Sequence, residues 1–186
     1  MARKQRVWIP EMFYHVVSRG NRREPLFIDD YDFLEMLRIL GEVSLKVPYQ
    51  LGSYCLMNNH FHLLIRSKEQ SVSKVMSLVN KKYANYFNTK YKYEGHVFEK
   101  RFFSEPVMGR RGILDVSCYI HLNPLNAKMV TSVREYPWSS YPLYLSNTLA
   151  SPTYFDKTFL LHYFPGTMEE KREQLIEYTE KAKAMR

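Results

Sequence analysis

The sequence is poor in cysteine and has no long apolar run. Its two cysteines, Cys55 and Cys118, form no CxxC pair. Two isolated thiols among apolar neighbours predict buried free cysteines and argue against a disulfide framework or a zinc knuckle. No stretch reaches the roughly 18 apolar residues that a membrane-spanning helix needs, and no apolar segment follows the basic N-terminus as in a signal peptide. We therefore expect a cytoplasmic protein with no membrane partner.

Acidic residues are outnumbered by basic ones. The chain has 19 Asp and Glu against 27 Lys and Arg, which gives a net charge of +8, and 15% of its residues are aromatic. Cations pair with phosphates and rings stack on unpaired bases, so this composition favours a nucleic-acid partner. A basic protein with a tyrosine-rich core would have the same composition.

Neither internal repeats nor low-complexity segments divide the chain. Its length of 186 residues suggests one domain with an appended segment. We place the domain in residues 1–145 and a C-terminal extension in residues 146–186, with a charged helix from about Met168 to the end. Residues 1–12 are expected to form an arm or a loop.

Apolar patterning predicts alternating strands and helices. Strands are expected at Tyr14–Ser18, Tyr49–Met57 and Phe61–Arg66 and within His96–Pro106. Helices are expected at Tyr31–Leu45, Val72–Tyr91 and Ile113–Leu122, with Pro124 interrupting or restarting the third. Asn58-Asn59 predicts a tight hairpin between the second and third strands. This order indicates an α+β, ferredoxin-like fold in which helices pack on one antiparallel sheet.

Two histidines alternate along the third predicted strand. Side chains two residues apart on a strand share a face, so His60 and His62 project together and Phe61 points the other way. Two imidazoles placed in this way can hold one divalent metal. A pair of surface or hydrogen-bonded histidines on an edge strand would give the same pattern.

Tyr119 and Asn123 are four residues apart on the third predicted helix, which places both side chains on one face. A phenol beside an amide oxygen could place a nucleophile next to a third metal ligand. Asn123 precedes Pro124, however, and an Asn-Pro pair also suits the cap and first turn of a new helix. Tyr119 could equally be an ordinary core or surface tyrosine. His121 falls about 200° around the helix from Tyr119 and is not expected to share its face.

Basic residues are interleaved with aromatic residues in three segments. The cations predicted to contact nucleic acid are Arg19, Arg22, Arg23, Lys81, Lys82, Lys100, Arg101, Arg110 and Arg111. Such interleaving suits an unpaired strand, whose backbone and bases are both exposed. His15, on the first predicted strand, could reach the histidine pair from a neighbouring strand, although packing or a phosphate contact is preferred for it, and His96 could contact phosphate from its loop. Solvated lysines and core rings explain any one cluster, so the repetition in three segments is what favours a nucleic acid.

Five blocks in order along the chain resemble the single-tyrosine HUH transposases. The blocks are Tyr14–Asn21, Leu56–Leu64, Gly95–Phe102, Tyr119–Pro124 and Pro137–Tyr141. The resemblance spans roughly residues 8–145 and is strongest to the branch associated with repetitive extragenic palindromes in bacterial chromosomes. One block alone would carry little weight, but five in the same order are hard to obtain by chance.

The resemblance implies a ferredoxin-like (RRM-like) fold with His60 and His62 on a central strand, where they bind Mg²⁺ or Mn²⁺. It implies that Tyr119 attacks a phosphodiester of single-stranded or hairpin DNA and forms a 5′-phosphotyrosine link that is later rejoined. Asn123 falls where relatives carry a third, amide metal ligand. Some relatives have Gln there, and the shorter side chain of Asn123 reaches less far.

Three functions therefore compete. The first is DNA nicking and joining, the second is nucleic-acid binding without cleavage, and the third is a metal-dependent phosphohydrolase in which Tyr119 is structural. The presence of both histidines together with Tyr119 favours the first function over the second, and the basic-aromatic segments favour it over the third. We expect no small-molecule cofactor, association with the nucleoid when DNA is bound, and a monomer in preference to a homodimer.

Overall fold

The fold is built on one four-stranded antiparallel sheet. The computed structural model describes residues 8–184. The strands are β1 (Phe13–Arg19), β2 (Gln50–Met57), β3 (His60–Arg66) and β4 (Phe103–Val107), in the spatial order β2-β3-β1-β4. The helices within the described range are α1 (Asp30–Lys46), α2 (Val72–Tyr91), α3 (Gly109–Asn126), α4 (Tyr141–Leu145) and α5 (Met168–Ala184). This chain order and strand order confirm the predicted α+β, ferredoxin-like fold.

The strand register places both predicted metal histidines on one face of the sheet. Val17 of β1 and Cys55 of β2 both pair with His62, and directly paired residues on antiparallel strands point to the same side. We call the side that carries His60 and His62 the histidine face. Because β3 has a strand on either side, the interpretation that puts these histidines on an edge strand is wrong.

Helices cover the two faces of the sheet differently. On the face opposite the histidine face, Asn80 of α2 donates a hydrogen bond of 3.1 Å to the hydroxyl of Ser18 in β1, and α1 packs against α2. On the histidine face, the hydroxyl of Ser53 in β2 lies 2.9 Å from the hydroxyl of Ser117 in α3, and both are buried. This contact fixes α3 to the sheet two residues before Tyr119.

The start of α1 is held by a charged cluster around Asp32, whose side chain is fully buried. Its carboxylate accepts hydrogen bonds from the Ile28 amide at 2.7 Å and from Lys90 Nζ at 2.8 Å. The hydroxyls of Tyr86 and Tyr91, also on α2, donate to the same carboxylate at 2.8 and 2.7 Å. One buried charge therefore caps α1 and ties it to α2.

α3 is longer than the sequence predicted, because it begins already at Gly109 and continues through Pro124 to Asn126. The prediction that Pro124 interrupts or restarts this helix is wrong, and Asn123 is not the cap of a new one. A proline inside a helix loses one backbone hydrogen bond. Here Pro124 is buried, and Leu122, two residues earlier on the helix, belongs to a small apolar cluster with Val133 and Tyr141. Tertiary packing at this point outweighs the local preference.

The last strand follows a loop, as predicted. The strand expected within His96–Pro106 is present as β4, and the segment before it forms a bridge between Phe98 and Gly20. The expected arm at residues 1–12 falls partly outside the described residues. Within them, the Met12 amide donates to the Ile9 carbonyl at 3.2 Å and closes a turn.

Residues beyond 145 pack on the same hydrophobic core as the sheet. Phe155 forms a bridge with Leu51 of β2, and the ring of Phe159 lies 4.8 Å from that of Phe13. Leu175 of α5 is fully buried in this core. In the part of the chain that the structure describes, no helix is long and apolar enough to cross a membrane. The division of the chain at residue 145 stays a prediction.

Candidate active site

Tyr119 and His62 meet on the histidine face. Their ring centroids are 5.6 Å apart, and the Tyr119 ring lies at the same distance from His15 of β1. His62 is 3% exposed, whereas Tyr119 is 36% exposed. The neighbours of Tyr119 in sequence, Cys118 and Ile120, are buried. α3 therefore presents the phenol toward solvent beside a buried imidazole.

The imidazole of His62 has one nitrogen engaged and one without a partner. Its Nδ1 lies 3.0 Å from Nε2 of His15. Its Nε2 is buried and has no hydrogen-bond partner among the described residues. Burial, and then the charges of the nearby His60, His15 and Arg19, lower the pKa of His62 to about 2. The ring is therefore neutral at physiological pH and can offer a lone pair.

The imidazole of His60 is oriented by its neighbour in sequence. The Nδ2 group of Asn59 donates to the Arg23 carbonyl at 3.1 Å, which turns Oδ1 toward His60. That oxygen lies 2.7 Å from Nδ1 of His60. Since an amide oxygen can only accept, Nδ1 carries the proton and Nε2 carries the lone pair. Burial, and then the charge of Arg19, lower the pKa of His60 to about 4, so this ring is also neutral.

The donor set of this site fits a divalent metal. Metal-binding histidines commonly donate their second ring nitrogen to a neighbouring acceptor, which is the arrangement of His60. The unpartnered, buried Nε2 of His62 supplies a second imidazole lone pair, and the two rings are 5.0 Å apart. Across the described residues, no group of three or more His, Cys, Asp or Glu side chains could hold a metal. A third protein ligand would therefore have to be of another type.

Asn123 is the amide that the sequence proposed for that place. Its Nδ2 donates to the carbonyl of Tyr119 at 2.7 Å, one turn earlier on α3. This bond engages the amide nitrogen and places the side chain on the same face as Tyr119. It does not engage the oxygen, which is the atom that a metal would require. The role of Asn123 as a ligand stays a prediction.

A basic cleft of about 490 Å³ opens beside Tyr119 and His62. Four of the predicted DNA-contacting cations line it: Arg19, Arg23, Lys100 and Arg101. Glu99 is the acidic residue in its lining. We call this the active-site cleft. It places several positive charges around the phenol and the imidazole, and such a surface attracts the phosphates of a nucleic acid.

Five predicted cations lie outside this cleft. They are Arg22, Lys81, Lys82, Arg110 and Arg111. The ammonium group of Lys82 pairs with Glu42 at 3.0 Å. Arg110 and Arg111 line a separate cleft between α3 and α5. The structure therefore supports a cationic site built from the segments around residues 19–23 and 100–101, and it does not join all three basic segments into one surface.

Sequence reasoning gave too little weight to His15 and missed Asn59. For His15, packing or a phosphate contact was preferred over a reach into the site from the neighbouring strand, yet it hydrogen-bonds His62. The signal for this contact was the antiparallel pairing of β1 with β3, which brings His15 diagonally opposite His62. His121 is fully buried and lies 2.9 Å from the hydroxyl of Ser140, so it does not share the face of Tyr119, as the helical angle predicted.

Comparison with known proteins identifies the family. A family model described as IS200-like transposase matches residues 9–123, which include β1, the histidine pair and Tyr119. The chain belongs to the IS200-like transposase family. No curated protein matches the sequence of this IS200-like transposase.

Solved structures resemble this IS200-like transposase in fold. A tyrosine transposase associated with REP elements, solved bound to a REP hairpin, matches with a TM-score of 0.67 and 15% identity, over 90% of this chain and 93% of the other. A protein from Deinococcus radiodurans assigned as a transposase matches with a TM-score of 0.45 and 14% identity, over 59% of this chain and 88% of its own. The first match supports the fold.

Proposed function

We propose that this IS200-like transposase cuts and rejoins single-stranded DNA, with Tyr119 as the nucleophile and Mg²⁺ or Mn²⁺ held by His60 and His62. The observation that carries the proposal is the 5.6 Å approach of the Tyr119 ring to His62, whose buried Nε2 has no hydrogen-bond partner within residues 8–184. Membership of a transposase family supports a DNA-cleaving role.

The chain supplies the nucleophile and its surroundings. A tyrosine phenol is a weak nucleophile at neutral pH and needs activation. A bound divalent metal would act as a Lewis acid on the scissile phosphate and neutralise the charge that develops on its oxygens. The phenol oxygen of Tyr119 forms a bond to phosphorus and loses its proton, while the bond from phosphorus to the 3′ oxygen breaks and that oxygen takes up a proton. The products are a 5′-phosphotyrosine link and a free 3′-hydroxyl.

Rejoining is the same exchange in reverse. The phosphotyrosine bond keeps the energy of the original phosphodiester, so the 3′-hydroxyl of another strand can attack it without ATP. Because His60 and His62 are neutral ligands, the DNA phosphate would contribute the negative charge that Mg²⁺ prefers in its coordination sphere. If Asn123 is the third ligand, its amide oxygen is neutral as well.

The proposed substrate is a single strand that carries a hairpin. The active-site cleft is lined by Arg19, Arg23, Lys100 and Arg101, which would hold the phosphate backbone without reading its sequence. The tyrosine transposase that shares this fold was solved with a REP hairpin, and that ligand motivates the choice of a hairpin here. We propose that the protein acts as a monomer and needs no small-molecule cofactor.

The test is a covalent trap. Purified protein is incubated with Mn²⁺ and a single-stranded hairpin labelled at its 3′ end, and the products are separated on a denaturing gel. Since the 5′ phosphate of the downstream fragment becomes attached to Tyr119, the label should migrate with the protein. Tyr119→Phe should give no adduct. Tyr31→Phe, at a tyrosine of α1 that is 74% exposed, should behave as the wild type.

A second variant tests the metal site. His62→Ala should give no adduct, while the Kd for DNA changes by less than about threefold because many phosphate contacts remain. His162→Ala, at an exposed histidine, is the matched control. Normal cleavage by His62→Ala in buffer containing metal would refute the assignment. Binding without any adduct in the wild type would favour a non-cleaving DNA-binding protein, and phosphatase activity that Tyr119→Phe leaves intact would favour a phosphohydrolase.

A further inference from the structure

A second cleft shares two lining residues with the active-site cleft but lies on the opposite face of the sheet, where Asn80 contacts Ser18 and Phe98 packs against Phe61. It has a volume of about 410 Å³ and lies between α2 and the segment that precedes β4. Its lining residues are Ser73, Met76, Ser77, Asn80, Phe98, Lys100, Arg101 and Phe102. Lys100 and Arg101 line both clefts. A DNA strand would therefore have to pass these two cations, on the segment that precedes β4, to reach from one cleft to the other.

The second cleft combines an aromatic wall with a few polar groups. Phe98 is partly buried, and its ring is held 6.4 Å from Phe61 and 6.3 Å from Tyr83. Met76 is fully buried beside it. Asn80 donates to Ser18 at 3.1 Å, which fixes the position of its amide. A flat apolar wall with a fixed amide and nearby hydroxyls suits a planar group that both stacks and forms hydrogen bonds.

We propose that this second cleft binds one unpaired nucleobase of the DNA strand whose phosphate lies in the active-site cleft. The proposal rests on the proposed function, since it takes its ligand from the same strand. The proposal depends on the two shared cations. Lys100 and Arg101 would hold the DNA backbone between the two clefts while the base turns into the second one. We name the second cleft the base cleft.

A base held here would determine which bond is cut. Phosphate contacts fix the position of the backbone but carry no sequence information, so the active-site cleft alone accepts any phosphodiester. One seated base sets the register of the strand and brings one particular phosphate beside Tyr119. Asn80, with its amide held in place, is the group best suited to distinguish one base from another, because amides pair with base edges.

The experiment compares DNA ligands that lack single bases. Binding is measured in the Tyr119→Phe background, which does not cleave, with hairpins that carry one abasic site at each position of the single-stranded flank in turn. Base stacking on an aromatic side chain is strong enough that its loss should weaken binding about tenfold. We expect this loss at one position of the flank.

A side chain that fills the base cleft should remove the dependence of DNA binding on that one base. Ser77→Phe places a ring in the base cleft, so the intact hairpin should bind about tenfold more weakly, and removal of the sensitive base should have no further effect. Asn85→Phe, at an exposed site two turns later on α2, should keep the pattern of the parent. If thermal melting shows that Ser77→Phe is unfolded, Ser73→Phe fills the same cleft.

Two results would overturn the proposal that a base binds in the base cleft. One is a flat profile, in which no single base affects the Kd, and the other is an unchanged abasic profile in a folded Ser77→Phe protein. Either result together with a normal Tyr119 adduct leaves the proposed chemistry standing. Conversely, the wild type could form no adduct while Ser77→Phe abolishes a base-specific effect on binding. That result would support the base cleft and refute the proposed cleavage.

Discussion

His15 hydrogen-bonds the buried imidazole of His62 from the neighbouring strand. Val17 lies directly opposite His62, so His15 is its diagonal neighbour, within reach for a ring. If Nδ1 of His62 donates to His15, the lone pair of Nε2 points away from the hydrogen bond and toward the proposed metal. Such outer contacts orient a ligand and raise its basicity. His15 is therefore a positioning residue for the proposed site.

We predict that His15→Ala weakens the metal site without removing it. The concentration of Mn²⁺ that gives half-maximal adduct should rise by about 10- to 100-fold, because partners of this kind typically have that effect on metal affinity. Adduct formation at saturating Mn²⁺ should recover toward the wild-type rate. His15→Gln, whose amide oxygen can accept from His62, should restore part of the affinity. A metal titration identical to that of the wild type would remove His15 from this role.

The site residues differ in how far the sequence alone could reveal them. His60, His62 and Tyr119 follow from local spacing and from the family resemblance, since each belongs to a compact motif. The contact of His15 with His62 depends on strand register, which local pattern does not define. The orientation of Asn59 depends on the Arg23 carbonyl, which is distant in sequence. Contacts of this kind emerge only once the chain has folded.

At the scale of the helix, Asp32 accepts most of the hydrogen bonds that hold the start of α1. Burial alone would raise the pKa of this carboxyl, but hydrogen bonds from Lys90 and from the Ile28 backbone outweigh it, with smaller contributions from Tyr91 and Tyr86, and the pKa lies below its ordinary value. The stabilisation is therefore complete above the unfolded-state pKa of roughly 3.9. It is lost as the pH falls through the lower pKa of the folded state.

We predict that Asp32→Asn destabilises the protein by about 2 to 3 kcal/mol at pH 7, because it leaves charged and polar donors without their anion. The difference from the wild type should shrink below about pH 4, where the wild type loses the same stabilisation. Denaturant unfolding at several pH values measures both effects. Asp30→Asn, at an exposed acid in the same turn, should cost about 0.5 kcal/mol. Equal losses in the two variants would contradict this account.

The helices and strands were predictable where their signals are local. α2 begins and ends at the predicted residues, and the Asn58-Asn59 turn joins β2 to β3 as expected. The predicted end of α3 came too early because a proline is unfavourable inside an isolated helix. The burial of Pro124 in the fold has no signal in the sequence. β4 follows the loop that the sequence predicts before it, but the packing of Phe98 in that loop against Phe61 and Tyr83 depends on the fold and has no local signal.

At the scale of the whole molecule, the parts of the proposed site come from one chain. Tyr119 on α3 and His62 on β3 meet within a single polypeptide, 5.6 Å apart between ring centroids. A second copy is not needed to bring the nucleophile to the histidines. The monomer that the sequence analysis favoured stays a prediction.

We predict that inactive variants do not rescue each other. Tyr119→Phe and His62→Ala proteins, mixed in equal amounts with hairpin DNA and Mn²⁺, should form no more adduct than either does alone, because neither chain contains a complete site. A mixture of wild type with Tyr119→Phe controls for competition at the DNA. Substantial adduct in the mixture of variants would show that Tyr119 of one chain works with the histidines of another.

The buried hydroxyl pair of Ser53 and Ser117 joins α3 to β2 just before Tyr119. A DNA end linked to that tyrosine would be anchored to the sheet itself and could not swing on a flexible arm. The free end would have to leave and its replacement would have to arrive, while the attached end stayed in one place. The exchange of strands would then depend on movement of the DNA, with the protein as a stationary support.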